Sequence, residues 1–128
     1  MYTFSKSERL CSKLIIDKLF KNGAVFYLAP FKVFWLEIPI ADCKSNAQLL
    51  IGVSKKLIRK SVCRNKIKRQ IKEAYRLNKN SLYKTLSISN KQCAIAILYN
   101  SKQISDFNST QNKILLILQR LQKELSNI

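Results

Sequence analysis

Residues 91–100 read KQCAIAILYN, an almost unbroken apolar run about as long as one strand. Its pattern is neither the alternation of a half-buried strand nor the stripe of an amphipathic helix. A run of this kind is the mark of a central strand covered on both faces. Such a strand needs partners beside it and amphipathic elements above and below, which excludes an open two-layer hairpin and points to a layered domain. With 128 residues, the chain has material for one such domain spanning 1–128, and no linker or internal repeat divides it.

The remaining elements can be placed around that strand. Ser12 precedes KLIIDKLFKNG, in which Ile15, Ile16, Leu19 and Phe20 recur at helical spacing. A first helix is therefore expected over 12–22, with Ser12 as N-cap and Gly23 as the left-handed residue after the C-terminus. The stretch AVFYLAPFKVFWLEI is rich in aromatic and β-branched residues and is interrupted by Pro30. After Pro30, the side chains of Phe31, Val33 and Trp35 face one way and those of Lys32, Phe34 and Leu36 the other, so both faces of this strand carry large apolar groups. Residues 39–47 are turn-rich and lead to a further strand, QLLIGVS (48–54). A closing helix is expected over 107–125, capped by Asp106, with Ile114, Ile117, Leu118, Leu121 and Leu125 on one stripe. The expected order is α-β-β-β-α-β-α, an α+β sandwich of one sheet with helices against it.

Charge is distributed very unevenly. The net charge is +17, and residues 55–79 hold eleven Lys or Arg against the single acid Glu73. With Ile67 set at zero and about 100° per residue, Cys63, Ile71 and Ala74 lie within about 40° of it. Asn65, Lys68, Arg69, Lys72 and Arg76 lie between about 100° and 200°. The segment is thus a helix with an apolar seam and a basic outer face. An ordinary solvated face mixes signs to gain i,i+4 pairs; this one lacks the acids to do so, and an external polyanion is the expected counter-charge. A membrane surface would require large apolar residues free to insert beside the cations, whereas the modest seam is better used against the sheet. Nucleic acid is favoured. Between DNA and RNA the residues alone leave the choice open: the helix offers Asn65 and Gln70 as base readers, while Phe20 and Phe34 serve either core packing or stacking on unpaired bases.

Other chemistries find little support. The chain has no His, and Cys11, Cys43, Cys63 and Cys93 show no metal-ligand spacing. No apolar run approaches the roughly 18 residues of a membrane span and no signal peptide opens the sequence, so a cytoplasmic protein with reduced cysteines is expected. The seven carboxylates form no recognisable metal cluster, and neither catalytic side chains nor a bound metal are expected in this chain.

The segment GVSKKLIRKSVCRNKIKRQIKEAYRLNK resembles the signature of the protein subunit of bacterial ribonuclease P. That signature is a strand ending in Ser-x-Lys-Lys, here Ser54, Lys55 and Lys56, followed by a helix opening Arg-Asn-x-x-Lys-Arg. The helix residues are Arg64, Asn65, Lys68 and Arg69, continued by Lys72 and Glu73. RLCSKLIIDKLFKNG is similar to the family's first helix, and the likeness in element order covers nearly the whole chain. The resemblance implies a four-stranded sheet with a left-handed βαβ crossover, the fold of the second domain of ribosomal protein S5. That handedness is contrary to the usual rule. It further implies that Arg64, Asn65, Lys66, Lys68, Arg69, Lys72 and Arg76 meet the catalytic RNA subunit, expected at 1:1. Ile16, Phe20, Lys32, Phe34 and Lys56 would line a cleft for the single-stranded 5′ leader of precursor tRNA. The RNA subunit would hold Mg2+ and cleave; the protein would use no organic cofactor, no membrane and no DNA. Three positions depart from the family pattern. Lys66 replaces an Arg, keeping charge without the two-pronged fork, Ile16 stands where an aromatic is common, and Leu57 and Ile58 follow Lys-Lys where Gly is frequent. The alternative is a ribosomal or RNA-chaperone type of RNA-binding protein with no part in cleavage.

Overall fold

The apolar run becomes an interior strand in a computed structural model describing residues 8–38, 46–104 and 106–126. In chain order the elements are α1 (Lys13–Asn22), β1 (Ala24–Leu28), β2 (Phe31–Ile38), β3 (Ala47–Val53), α2 (Ser61–Asn78), α3 (Asn80–Ser89), β4 (Gln92–Tyr99) and α4 (Phe107–Ser126). The strands form one sheet in the order β1-β2-β4-β3. β4 pairs antiparallel with β2 and parallel with β3, and the connection between the two parallel strands runs through α2 and α3. Most of the expected turn at 39–47, including Cys43, lies outside the described residues.

Because β4 is covered on both faces, its side chains divide between two cores. Cys93, Ile95, Ile97 and Tyr99 join Phe31, Val33, Leu49 and the inward residues of α2, α3 and α4 in the larger one. Ala94 and Ala96 join Leu10, Ile15, Leu19 and Ile38 under α1 in the smaller. The small side chains on the α1 face let that single short helix approach closely. Ile67, Ile71 and Ala74 of the α2 seam are buried as expected, and so is the whole α4 stripe. Cys63 is only half-buried at the seam's edge.

Two local expectations are corrected. Gly23 is extended (φ −72°, ψ 153°) rather than left-handed. Glycine is needed there because a Cβ would lie 2.3 Å from the Leu19 carbonyl oxygen and 3.0 Å from that of Trp35. The expected element order also lacks α3, a helix whose Leu82 and Leu86 are one turn apart and both buried. The spacing is present in the sequence, but the segment is short, starts directly after α2, and owes its burial to α4. The left-handed cap is at its end instead, at Asn90 (φ 54°). Ser12 does cap α1, its hydroxyl accepting from the Ile15 N–H at 3.4 Å, and the Asp106 carboxylate accepts from the Ser109 N–H at 2.8 Å.

Beneath α2 lies a buried polar chain. The Tyr75 and Tyr83 hydroxyls are 3.0 Å apart, Tyr83 donates to Glu8 Oε2 at 2.7 Å, and the same carboxylate pairs with the Lys79 ammonium. Burial pushes the Tyr75 phenol well above its ordinary 10.0, with the Tyr83 hydroxyl adding to the shift. The folded chain therefore holds this proton where the unfolded chain releases it, so the contribution is intact below pH ~10 and lost as pH rises beyond. Urea unfolding between pH 9 and 11 should show stability falling more steeply for the unmodified chain than for Tyr75→Phe. The expected difference is about 1.4 kcal/mol per pH unit above ~10, and equal slopes would refute it.

Candidate nucleic-acid interface

α2 presents its basic face because its opposite side is committed to the core. Asn65, Lys66, Lys68 and Arg69 are exposed, while Arg64, Lys72 and Arg76 are half-buried. The face divides along its length. Asn65, Lys68 and Lys72 turn toward the edge of β3, where with Arg9, Leu10 and Cys11 they surround a pocket of about 590 Å3. Lys66, Gln70 and Glu73 turn toward Phe107 at the start of α4, and Arg69 borders both sides. The helix opens with no acidic residue and no side-chain cap, leaving its positive dipole end uncompensated.

The two ends of the expected basic set behave differently from its middle. Arg64 Nη1 donates to the carbonyl oxygens of Ile58 (3.0 Å) and Arg59 (2.7 Å), tying the β3–α2 turn to the helix start. Arg76 Nε donates to Glu73 Oε2 at 3.0 Å, and that guanidinium holds the Glu73 carboxyl below its usual range. Between them Lys66, Lys68 and Arg69 are exposed, with half-buried Lys72 beside Lys68 in the pocket lining.

The turn after β3 explains how the chain manages without glycine behind Lys55-Lys56. Ser54 Oγ accepts from the Leu57 N–H at 3.4 Å, and the Ser54 carbonyl from the Ile58 N–H at 3.0 Å. Buried Ile58 anchors the turn in the large core, and Lys55 and Lys56 project from it exposed.

On the α1 face, the sheet is covered at one end and open at the other. Phe20 of α1, 39% exposed, meets Phe34 of β2 edge-on, with ring centroids 4.8 Å apart. Lys32 holds its ammonium 5.1 Å from the Phe34 centroid and 5.4 Å from that of Tyr27, a cation between two rings. Tyr27, Lys32, Leu98 and Gly52 form one row across all four strands by register. With Ser54 and Asn100 they line a groove of about 400 Å3. Gly52 keeps its floor low, since a Cβ there would come within 2.7 Å of Leu98 Cδ2. Phe20, Lys32 and Phe34 are thus brought together. Ile16 is half-buried in the small core beside Phe34 rather than in the open groove, and Lys56 stands on the turn beyond Ser54. Tyr27, 62% exposed, is absent from the residues expected by sequence. The signal was available in AVFYL, where Phe26 and Leu28 face the core and leave Tyr27 opposite. Arg9 is a second such residue; it reaches the basic surface through a bridge to Leu49 that sequence spacing does not show.

Among the described residues no three of His, Cys, Asp and Glu come together to hold a metal ion, and no helix is long and apolar enough to cross a membrane. Fold and surface together define an α+β protein with a basic helix beside an aromatic, cation-bearing groove. Solved structures share this architecture. The ribonuclease P protein of Staphylococcus aureus superposes with a TM-score of 0.72 at 23% identity, covering 90% of this chain and 95% of that one. The Thermotoga maritima protein does so with 0.70 at 26% identity, covering 88% and 96%. The ribonuclease P family matches residues 4–122. The ribonuclease P protein component of Porphyromonas gingivalis is 33% identical over 110 residues, 86% of this chain and 80% of the relative. That of Chlorobium phaeobacteroides is 33% identical over 102 residues, 73% and 69%. The chain belongs to the ribonuclease P protein component family, and with it to the RNA-binding subunits of a tRNA-processing ribonucleoprotein.

Proposed function

We propose that this subunit holds the catalytic RNA of ribonuclease P on the basic face of α2 and the 5′ leader of precursor tRNA in the groove between Tyr27 and Phe34. The supporting observation is the Lys32 ammonium held between the Tyr27 and Phe34 rings at the end of an open groove that Tyr27 and Lys32 line, separate from the helix cations. Bases of an unpaired strand stack on such rings whatever their sequence, while the lysine meets the backbone. In this reading the RNA subunit, bound 1:1 in the cytoplasm, holds the Mg2+ that supplies the chemistry. The chain's own residues neutralise phosphates and position the substrate. Leader binding favours precursor over product, because mature tRNA lacks that segment.

Leader removal under single-turnover conditions at low Mg2+, with and without the protein, tests the assignment. Stimulation that grows with leader length supports it. Tight RNA binding without stimulation would favour a ribosomal or chaperone role. Beside the groove, Phe34→Ala should weaken precursor binding by about 5- to 150-fold, the range for loss of one stacked base, and leave leaderless tRNA unaffected. Equal losses on both would remove the leader from the groove.

A further inference from the structure

The pocket at the edge of β3 is not explained by phosphate binding. Its lining joins the cations Arg9, Lys68, Arg69 and Lys72 to an aliphatic stretch along the β3 edge, buried Leu10 and Leu49 with half-buried Leu50 and Ile51. A phosphate gains nothing from aliphatic neighbours, and cations gripping a duplex backbone need none. At about 590 Å3 the pocket has the volume of a small-ligand site. No residue is shared with the Tyr27 groove. Its outer wall is fixed: the Leu10 N–H donates to the Leu49 carbonyl at 3.0 Å, and buried Glu8, paired with Lys79, pins the residue before Arg9. Asn65 at the rim supplies an amide that both donates and accepts, as a base edge requires.

We infer that this pocket receives one unpaired nucleotide extruded from the RNA subunit, its base against the aliphatic β3 edge and its flanking phosphates on Arg9, Lys68 and Lys72. The inference rests on the reading that α2 meets that RNA, and it adds the class of nucleotide taken. A base leaving its stack is accepted between apolar side chains wherever its edge finds a hydrogen-bonding partner. α2 would then register the RNA at one unpaired position as well as hold its backbone.

Exposed Cys11 provides the test, since it lines the pocket without carrying charge. Cys11→Phe fills the space and keeps every cation. Affinity for the RNA subunit should fall on the order of tenfold, with the slope of log affinity against log salt unchanged and the circular dichroism spectrum retained. A photo-crosslinker on Cys11, in a chain with Cys43 and Cys63 replaced by Ser, should form its adduct at one unpaired nucleotide of the RNA subunit. Unchanged affinity, adducts confined to paired nucleotides, or adducts on precursor tRNA instead would overturn the inference while leaving the α2 reading in place. Failure of the unmodified chain to bind the RNA subunit would remove both. Should Cys11→Phe not fold, the crosslink decides alone.

Discussion

Lys79→Met destabilises the chain by about 3–5 kcal/mol, the range for removing one partner of a buried ion pair. The side chains of Lys79 and Glu8 are 4% and 8% exposed, so the carboxylate left behind stays buried without its counter-charge, though the Tyr83 hydroxyl still donates to it. Two groups this deep give up most of their hydration, and their mutual attraction does little more than offset that loss. The double replacement Glu8→Leu, Lys79→Met should accordingly be less damaging than either single change. Urea unfolding followed by the fluorescence of Trp35, the only tryptophan, reads all three variants. Its indole N–H donates to Glu124 Oε2 at 2.9 Å, so its emission reports the docking of β2 against α4. A loss below ~1 kcal/mol for Lys79→Met would make the pair a surface-like interaction. What the pair secures is position: it fixes the N-terminal segment across the β3 edge, and with it Arg9 and the pocket wall.

The second large effect is electrostatic. Replacing Lys68, Arg69 and Lys72 together with Ala should reduce the log–log salt slope of RNA-subunit binding by roughly 2–2.7, from about 0.7–0.9 for each phosphate no longer neutralised. Between ~0.05 and ~0.5 M salt, the affinity of the unmodified chain then falls at least about 100-fold further than that of the variant. The same treatment of Arg76 should change the slope less, because Glu73 already neutralises it. Equal slopes for the triple variant and the unmodified chain would mean that these cations touch no phosphate. Stability should not suffer in parallel, since Lys68 and Arg69 are exposed and like-charge repulsion along the face is relieved.

The sequence by itself determined the elements and their buried faces. The apolar run of β4, the alternation in β2 and the stripes of α2 and α4 were legible because burial is periodic, and periodicity is local information. Even the two-faced character of β2 was readable, and it placed Phe34 and Lys32 together on the α1 side, which α1 covers only in part. The charge of the α2 region likewise required no structure, because eleven cations against one acid in residues 55–79 leave few other uses. Tertiary structure alone decided which of these features meet. Arg9 joins the α2 cations across the edge of β3, Glu8 finds Lys79 71 positions away, and Tyr27 comes beside Lys32 only through strand register. It also gave some of these residues partners within the chain: Ile16 packs against the small core, Arg64 bonds its own turn and Arg76 pairs with Glu73. Helical spacing says which way a side chain points, but whether a neighbour from another element stands there depends on long-range packing, which no local pattern encodes.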